Sequence, residues 1–441
     1  MKQHITVGRL LIVGVCALSL IGCGTGGQSS APNTSPESTA PTSAAPAPTA
    51  SAPAASGKAT FWNDKWANNA ETQKAVADAW TKTSGLTIDV NSFPDTASYQ
   101  TAMSQSIGDA GSAPNAFTWW SGDQLQTLAQ GNQLMPLDDV WQKIIPLGVS
   151  PDIEKALSFN GHAYAVPFSL LNNLVVYNAK AFAKAGITAP PKTFDEFLAD
   201  CQKLVDAGIK PISLKNDSWA SFIWFQALMA AADPALYQGV CDGSIKYTDP
   251  KVVAVFTTWH DMLAKGFFAD PVSGDDAGKR VATGEAAMFI ESPYAVTSFV
   301  TNFGLKSGTD FSAFALPSMT GGKAAIFFEV SPMAVPAVVK DPATSKAMLE
   351  AYYSTDVQTQ ILNSSGFALT NTVPVTDPTL EKIASMSADT AHYQSILRYY
   401  ENTPAALRDV ALDEMAKFMA GQQDAKTTLS HIQAKADTTF K

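Results

Sequence analysis

From residue 60 onward the chain switches repeatedly between two hydrophobic periods. Residues 60–62 read as a short strand, and 68–82 as a helix that Gly85 can close at its C-terminus. Leu86, Ile88 and Val90 then alternate with Thr87, Asp89 and Asn91, the two-residue period of a strand. Tyr99, Met103 and Ile107 recur at helical spacing, and 116–119 returns to strand character. Residues 121–130 predict a helix opened by a Ser121/Gln124 capping box. This β-α-β-α-β-α order predicts an α/β fold.

The pattern continues downstream. Residues 157–168 read as a hairpin with Asn160-Gly161 at the turn, and 174–177 as a strand leading into a helix at 179–185. Thr193 and Glu196 form a capping box for a helix that carries Phe194, Phe197, Leu198, Cys201, Leu204 and Val205 on one face. Further helices are expected at 218–232, 250–265, 342–353 and 404–419, with a strand at 286–290. No internal repeat is evident.

The first 57 residues follow different rules. Lys2 and Arg9 precede an apolar run from Leu10 to Ile21, too short for the roughly 20 residues that span a bilayer. This predicts a secretory leader. Its end, Leu20-Ile21-Gly22-Cys23, resembles the bacterial lipobox, which implies removal of 1–22 and a lipidated Cys23; the alternative is an ordinary signal cut nearby. Residues 24–57 hold no Val, Ile, Leu, Met or aromatic residue, and Glu37 is their only charge. Such a segment cannot build a core, so 23–57 is expected to be a lipidated Cys followed by a disordered Ser/Thr/Pro/Ala tether.

Composition narrows what the remaining body can do. The chain has 441 residues, 46% hydrophobic and 16% charged, enough for a large core and suggestive of two lobes. Net charge is -10, without any Lys/Arg cluster, so nucleic acid is excluded as a partner. Four Cys and five His, thinly scattered, fit no zinc framework, and neither a metal nor a cofactor is expected. After export Cys201 and Cys241 remain. A disulfide between them would contribute about 4 kcal/mol, while the apolar face of Cys201 equally suits a free thiol, and the residues leave both readings open.

The notable chemistry is aromatic. Trp62, Trp66, Trp119, Trp120, Trp219 and Trp224 fall near strand ends or helix starts, where open α/β sheets bind ligands. An indole suits the C–H face of a pyranose, and Asn63, Asp64, Asp123, Asn172, Asn173 and Glu291 can take ring hydroxyls. Trp80, Trp141 and Trp259 sit at helical spacing and read as core. Only Arg280, Arg398 and Arg408 lie beyond the leader, which disfavours an anionic ligand. A neutral ligand is expected, with a polyamine or quaternary amine second, because aromatic faces with a carboxylate also cage ammonium groups. A secreted glycoside-active enzyme using two of Glu285, Glu291 and Glu329 is the third reading. The chain has no Gly-x-Ser-x-Gly elbow, His-Glu-x-x-His pair or phosphate loop, and His162, His260, His392 and His431 read as surface or packed residues. No catalytic residue is assigned.

Several segments resemble one family. Asn160-Gly161-His162-Ala163-Tyr164-Ala165-Val166-Pro167 is similar to the Asn-Gly-Lys-x-Tyr-Gly-x-Pro segment of the sugar-type extracellular solute-binding proteins (family 1) of ABC importers. Tyr177-Asn178, Phe182, Ala185-Gly186-Ile187 and Pro190-Pro191-Lys192-Thr193-Phe194-Asp195-Glu196-Phe197 follow the family's order, as do Gly284-Glu285-Ala286-Ala287-Met288 and Leu316-Pro317 before Gly321-Gly322. The resemblance runs from about Ala59 to Lys441.

It implies a maltose-binding-protein-like, type II two-lobe α/β fold. The N-lobe would take 58–167 and 329–364 and the C-lobe 168–328 and 365–441, with chain crossings near 167–172, 328–331 and 364–370. A ligand would lie in the interlobe cleft. Carried over by position, the family's ligand loops fall on Trp62-Asn63-Asp64, on Trp120, Ser121 and Asp123, on Asn172 and on Tyr294. Together with Trp66, Trp219, Glu291 and Glu329 these make the expected site. Ser292-Pro293-Tyr294 stands where Gly-x-Trp is usual, and Phe328-Glu329 where Gly-rich sequence is common. The resemblance further implies a non-enzymatic, monomeric, lipid-anchored protein on the extracytoplasmic face of a bacterial membrane of Gram-positive type. It would deliver a carbohydrate to ABC permease subunits.

Overall fold

The computed structural model describes residues 57–66, 70–217 and 220–441. The leader, Cys23 and all but the last residue of the expected tether lie outside the described residues, as does Trp219. The first strand already begins at Gly57.

Strands are β1 (Gly57–Asn63), β2 (Leu86–Ser92), β3 (Ala116–Thr118), β4 (Ser158–Phe159), β5 (His162–Ala163), β6 (Ala165–Asn178), β7 (Lys210–Ile212), β8 (Ala286–Glu291), β9 (Phe311–Phe314), β10 (Ala324–Ala334) and β11 (Tyr393–Leu397). The main sheet runs β2-β1-β3-β10-β6-β8-β7, with β11 added beside β10 and β9 beside β6. β1 pairs in parallel with both β2 and β3, the arrangement that the early strand-helix alternation predicts. The expected hairpin is the small β4-β5 ribbon. Asn160 and Gly161 both take positive φ (53° and 85°), as a two-residue turn matched to strand twist requires.

Long antiparallel β6 and β10 hold the molecule together. Their register, which pairs Glu329 with Leu171 and Phe328 with Asn172, shifts between Ser331 and Pro332. There Pro332 meets Pro167, and two residues without an N–H cannot continue a regular ladder. Along β6, Val166 and Phe168 belong to a buried cluster built on Phe61, Trp80, Trp141 and Tyr352. Val175 belongs to a second cluster around Phe225, Trp259, Tyr399 and Phe418, and Leu174 and Val176 to a third around Phe289 and Phe299. β10 divides in the same way, Ile326 and Phe327 on one side and Phe328, Val330 and Met333 on the other. A third passage leads from Ile361 in the first cluster to Ile383 in the third. The chain therefore crosses between two packed halves three times, and the third passage leaves the first cluster only after Leu369.

One expectation is corrected and one open question is closed. The helix expected from Ser121 begins at Asp123 with Gly122 at its cap position, and Gly122 at φ 70°, ψ -140° carries Ser121 away from the helix start. The Ser121 hydroxyl caps nothing and is buried without a protein partner. Of the two readings left open for Cys201 and Cys241, the structure has the free one: both are unbridged, buried thiols in the second cluster. Burial raises both thiols, Cys241 to about 12. Among the described residues no helix is long and apolar enough to cross a membrane.

Candidate functional site

A cavity of about 220 Å³ lies where the three crossings converge. β6 supplies Phe168, Ser169 and Leu171, β10 supplies Glu329 and Ser331, and the third passage supplies Ser364, Ser365 and Phe367. Trp66 and Lys65, from the loop after β1, and Tyr294, from the start of the helix Tyr294–Phe303, complete the wall with Tyr352. Trp66 is held against Phe168 at 5.0 Å between ring centres, and Phe168 stacks on Tyr352 at 5.6 Å. Tyr294 is 48% exposed and meets Phe367 edge-on. Apolar rings and short hydroxyls thus share one small space. A wider hollow of about 520 Å³ opens on the outer face between the helices Ala70–Ser84 and Thr355–Ser365, but it has no aromatic wall and none of the expected site residues.

Of the residues expected from sequence, the structure brings Trp66, Tyr294 and Glu329 onto the cavity wall. Trp120 stands beside it, with Lys65 Nζ 5.0 Å from its ring centre and Trp119 at 5.0 Å in an edge-on pair. Trp62 is half-buried against Phe93. Others are already engaged within the protein. Asn63 is fully buried; its Oδ1 accepts from the backbone N–H groups of Lys65 and Trp66, and its Nδ2 donates to Ser92. It shapes the loop that presents Trp66. Asp64 accepts from Thr96 and lies 3.2 Å from Lys65 Nζ. Asn172 donates to Ser387 at 2.9 Å, and Asp123 accepts from the backbone N–H of Ala405 at 2.8 Å. Glu291 pairs with Lys215 and lines a neighbouring void of only about 10 Å³ with Asn173, Phe222 and Arg398. The core assignment of Trp80 and Trp141 matches their complete burial, with each indole N–H donated to a backbone carbonyl. Trp259 is completely buried as well.

The charged floor of the site was not foreseen as a unit. Glu329 Oε2 lies 2.7 Å from Arg398, which also grips Glu401 with two donors. The guanidinium lies 5.8 Å from the ring centres of Phe222 and Tyr400. Burial pushes the Glu329 carboxyl upward; Arg398 opposes that shift and the Glu401 charge adds to it. One of the few arginines therefore does stand at the site, but two carboxylates already neutralise it. Sequence reasoning also missed Lys65, Ser169, Ser331, Ser364, Ser365 and Phe367. Five of these six lie in or beside the expected crossings, so the crossing segments themselves were the available signal.

The architecture is that of a type II periplasmic-binding-protein fold. A solute receptor described as exclusively preferring β-D-galactopyranose superposes on it with a TM-score of 0.74 at 20% identity, covering 87% of this chain and 100% of that one. Residues 63–359 match the bacterial extracellular solute-binding protein family, and the chain belongs to that family. An uncharacterized ABC transporter extracellular-binding protein of Pyrococcus horikoshii is 29% identical over 221 residues, 48% of this chain and 49% of its own. A diacetylchitobiose binding protein of Streptomyces coelicolor is 29% identical over 225 residues, 49% of this chain and 51% of its own. The chain thus spans about half the length of these relatives.

Proposed function

We propose that this protein captures a sugar or short oligosaccharide in the cavity between its halves and delivers it to the permease of an ABC importer. The observation that carries this reading is the wall itself: Trp66, Phe168, Tyr294, Tyr352 and Phe367 line about 220 Å³ together with Ser169, Ser331, Ser364 and Ser365. Rings of this kind cover the C–H faces of a pyranose while hydroxyls and a carboxylate take its hydroxyl groups. The sugar specificities of the relative and the solved structure named above support the same ligand class. In this reading 58–167 with 329–364 form one lobe and 168–328 with 365–441 the other. Cys23 carries the lipid anchor, and the tether holds a monomeric receptor outside the membrane.

The polyamine reading is weakened by Lys65 on the cavity wall, which repels an ammonium group, and by Arg398, which already pairs with the Glu329 carboxylate. The hydrolase reading is weakened because Glu291 and Glu329 are each committed to a basic partner rather than poised as acid and base across a shared space. Isothermal calorimetry against mono- and oligosaccharides, with spermidine and choline alongside, tests the assignment. Heat from at least one sugar and none from the amines is expected. Binding of an amine with no response to any sugar would overturn it, as would turnover of labelled oligosaccharide.

A further inference from the structure

We propose that the loop 121–123 is a latch that fastens the two halves of the molecule together, so that Asp123 acts on closure and not on ligand. Asp123 opens the helix Asp123–Gln130, whose Leu125 and Ala129 belong to the first buried cluster. Its partner Ala405 opens the helix Ala405–Met419, whose Leu407 and Ala411 belong to the second. The residue in the cap position of that second helix is Pro404, which has no side-chain acceptor for the free N–H groups of the first turn. The carboxylate that completes the helix comes instead from the other half of the molecule, 282 positions earlier, at 2.8 Å. A negative group at a helix start is favoured by both the hydrogen bond and the helix dipole.

Gly122 supplies the second, independent observation. It holds φ 70°, and a Cβ built on it would lie 2.0 Å from the backbone carbonyl oxygen of Glu401. Backbone meets backbone there at a distance that only glycine tolerates. Glu401 ties this seam to the cavity. Its side chain holds Arg398, and Arg398 holds Glu329 on the cavity wall. A solute that contacts Glu329 therefore acts on a group two ion pairs from the seam. The latch gives the solute-binding reading a closing device, and it rests on that reading only for its purpose, since the fastening itself is measurable with no solute present.

The test uses the full chain without added solute. Spin labels at Lys74→Cys and Lys251→Cys, exposed positions on the two halves, report the separation by pulsed electron paramagnetic resonance. Asp123→Ala is expected to lower the closed-to-open ratio roughly fivefold, the ordinary worth of a helix cap. Asp123→Asn, which keeps the acceptor and loses only the charge, should stay much closer to the parent distances than Asp123→Ala. Gly122→Ala should shift the distribution at least as far as Asp123→Ala, and it serves if Asp123→Ala fails to fold. Unchanged distances in either alanine variant, with a cooperative melt retained, would overturn the latch. Equal opening by Asp123→Asn and Asp123→Ala would overturn the role of the cap. Loss of sugar binding with the latch intact would count against the functional reading alone.

Discussion

Two glutamates, half-buried Glu329 in the cleft and buried Glu414 among the C-terminal helices, are treated in opposite ways by their surroundings. Glu414 is surrounded by protein donors: Lys417 at 2.8 Å, Gln423 at 2.9 Å and His431 at 2.7 Å. Burial alone would raise it, yet those donors outweigh burial and hold the carboxyl down at about 2. Glu329 has Arg398, which it shares with Glu401, and its carboxyl is displaced upward. Its side chain keeps 31% of its surface, open to the cavity. One carboxylate is satisfied by the fold; the other retains acceptor capacity facing empty space. The contrast teaches that equal side chains are held differently by the two regions: the C-terminal layer surrounds its carboxylate with donors, and the cleft leaves its carboxylate with one shared partner.

The contrast can be broken at several points, beginning with the largest effect. Arg398→Ala should lower unfolding free energy by about 3–5 kcal/mol in denaturant titration, because it strands two carboxylates that share one guanidinium. A variant that melts like the parent would show that the cleft charges are well solvated. Glu414→Gln should cost about 1–3 kcal/mol at neutral pH, since it weakens charge-assisted hydrogen bonds to three neighbours. Its pH dependence follows from the sign of the shift. With a folded value near 2, below the ordinary 4.5, the ionised group stabilises the fold fully above that ordinary value. The contribution is lost as pH falls toward 2, so melting temperatures of parent and Glu414→Gln should converge over that interval. A gap that stays constant from pH 6 to pH 2.5 would refute the donor account.

Glu329→Gln should behave differently. A carboxyl displaced upward favours its protonated form in the folded state, so its ionisation works against folding once pH exceeds the ordinary value. Replacement by the neutral amide should leave the melting temperature at pH 7 unchanged or slightly higher. A marked fall would mean that the Arg398 pairing outweighs burial. The smallest expected stability change is that of Trp120→Ala, a half-buried indole with Lys65 over its face. It should weaken sugar affinity by roughly tenfold, through lost stacking, while the ligand-free melt hardly moves. A large drop in that melt would instead place Trp120 in the core.

Much of the frame was legible in the sequence because period-two and period-3.6 patterns are clean where one face is buried. The alternation of Leu86, Ile88 and Val90 is the β2 strand, and the one-faced run from Phe194 to Leu204 is the helix Phe194–Asp206. β10 escaped because its Ile326, Phe327, Phe328 and Val330 are buried in succession and erase the alternation. The helix Ala425–Thr439 escaped for the opposite reason, since its few apolar positions, Leu429 and Ile432 among them, are too sparse to set a period. Its cap was nonetheless visible, as Asp424 accepts from the N–H of Thr427, and Ser354 and Asp377 open other missed helices in the same way. In the site, side-chain type alone could not separate residues that face the cavity from residues that brace it. Asp123 and Asn172 have suitable chemistry, but their partners come from distant segments that no local pattern reveals, and Asn63 is spent on its own loop and on Ser92. The role of Arg398 is not legible in the sequence, because its two carboxylate partners are brought to it by the pairing of β10 with β11 and by the turn that follows.

The most direct test of a cleft that reserves acceptor capacity for a sugar is a paired calorimetric titration. Glu329→Gln and Glu414→Gln would be titrated side by side with a sugar that the parent binds. The account predicts at least a tenfold loss of affinity for Glu329→Gln and parental affinity for Glu414→Gln. Parental affinity in Glu329→Gln, or equal losses in both variants, would contradict it.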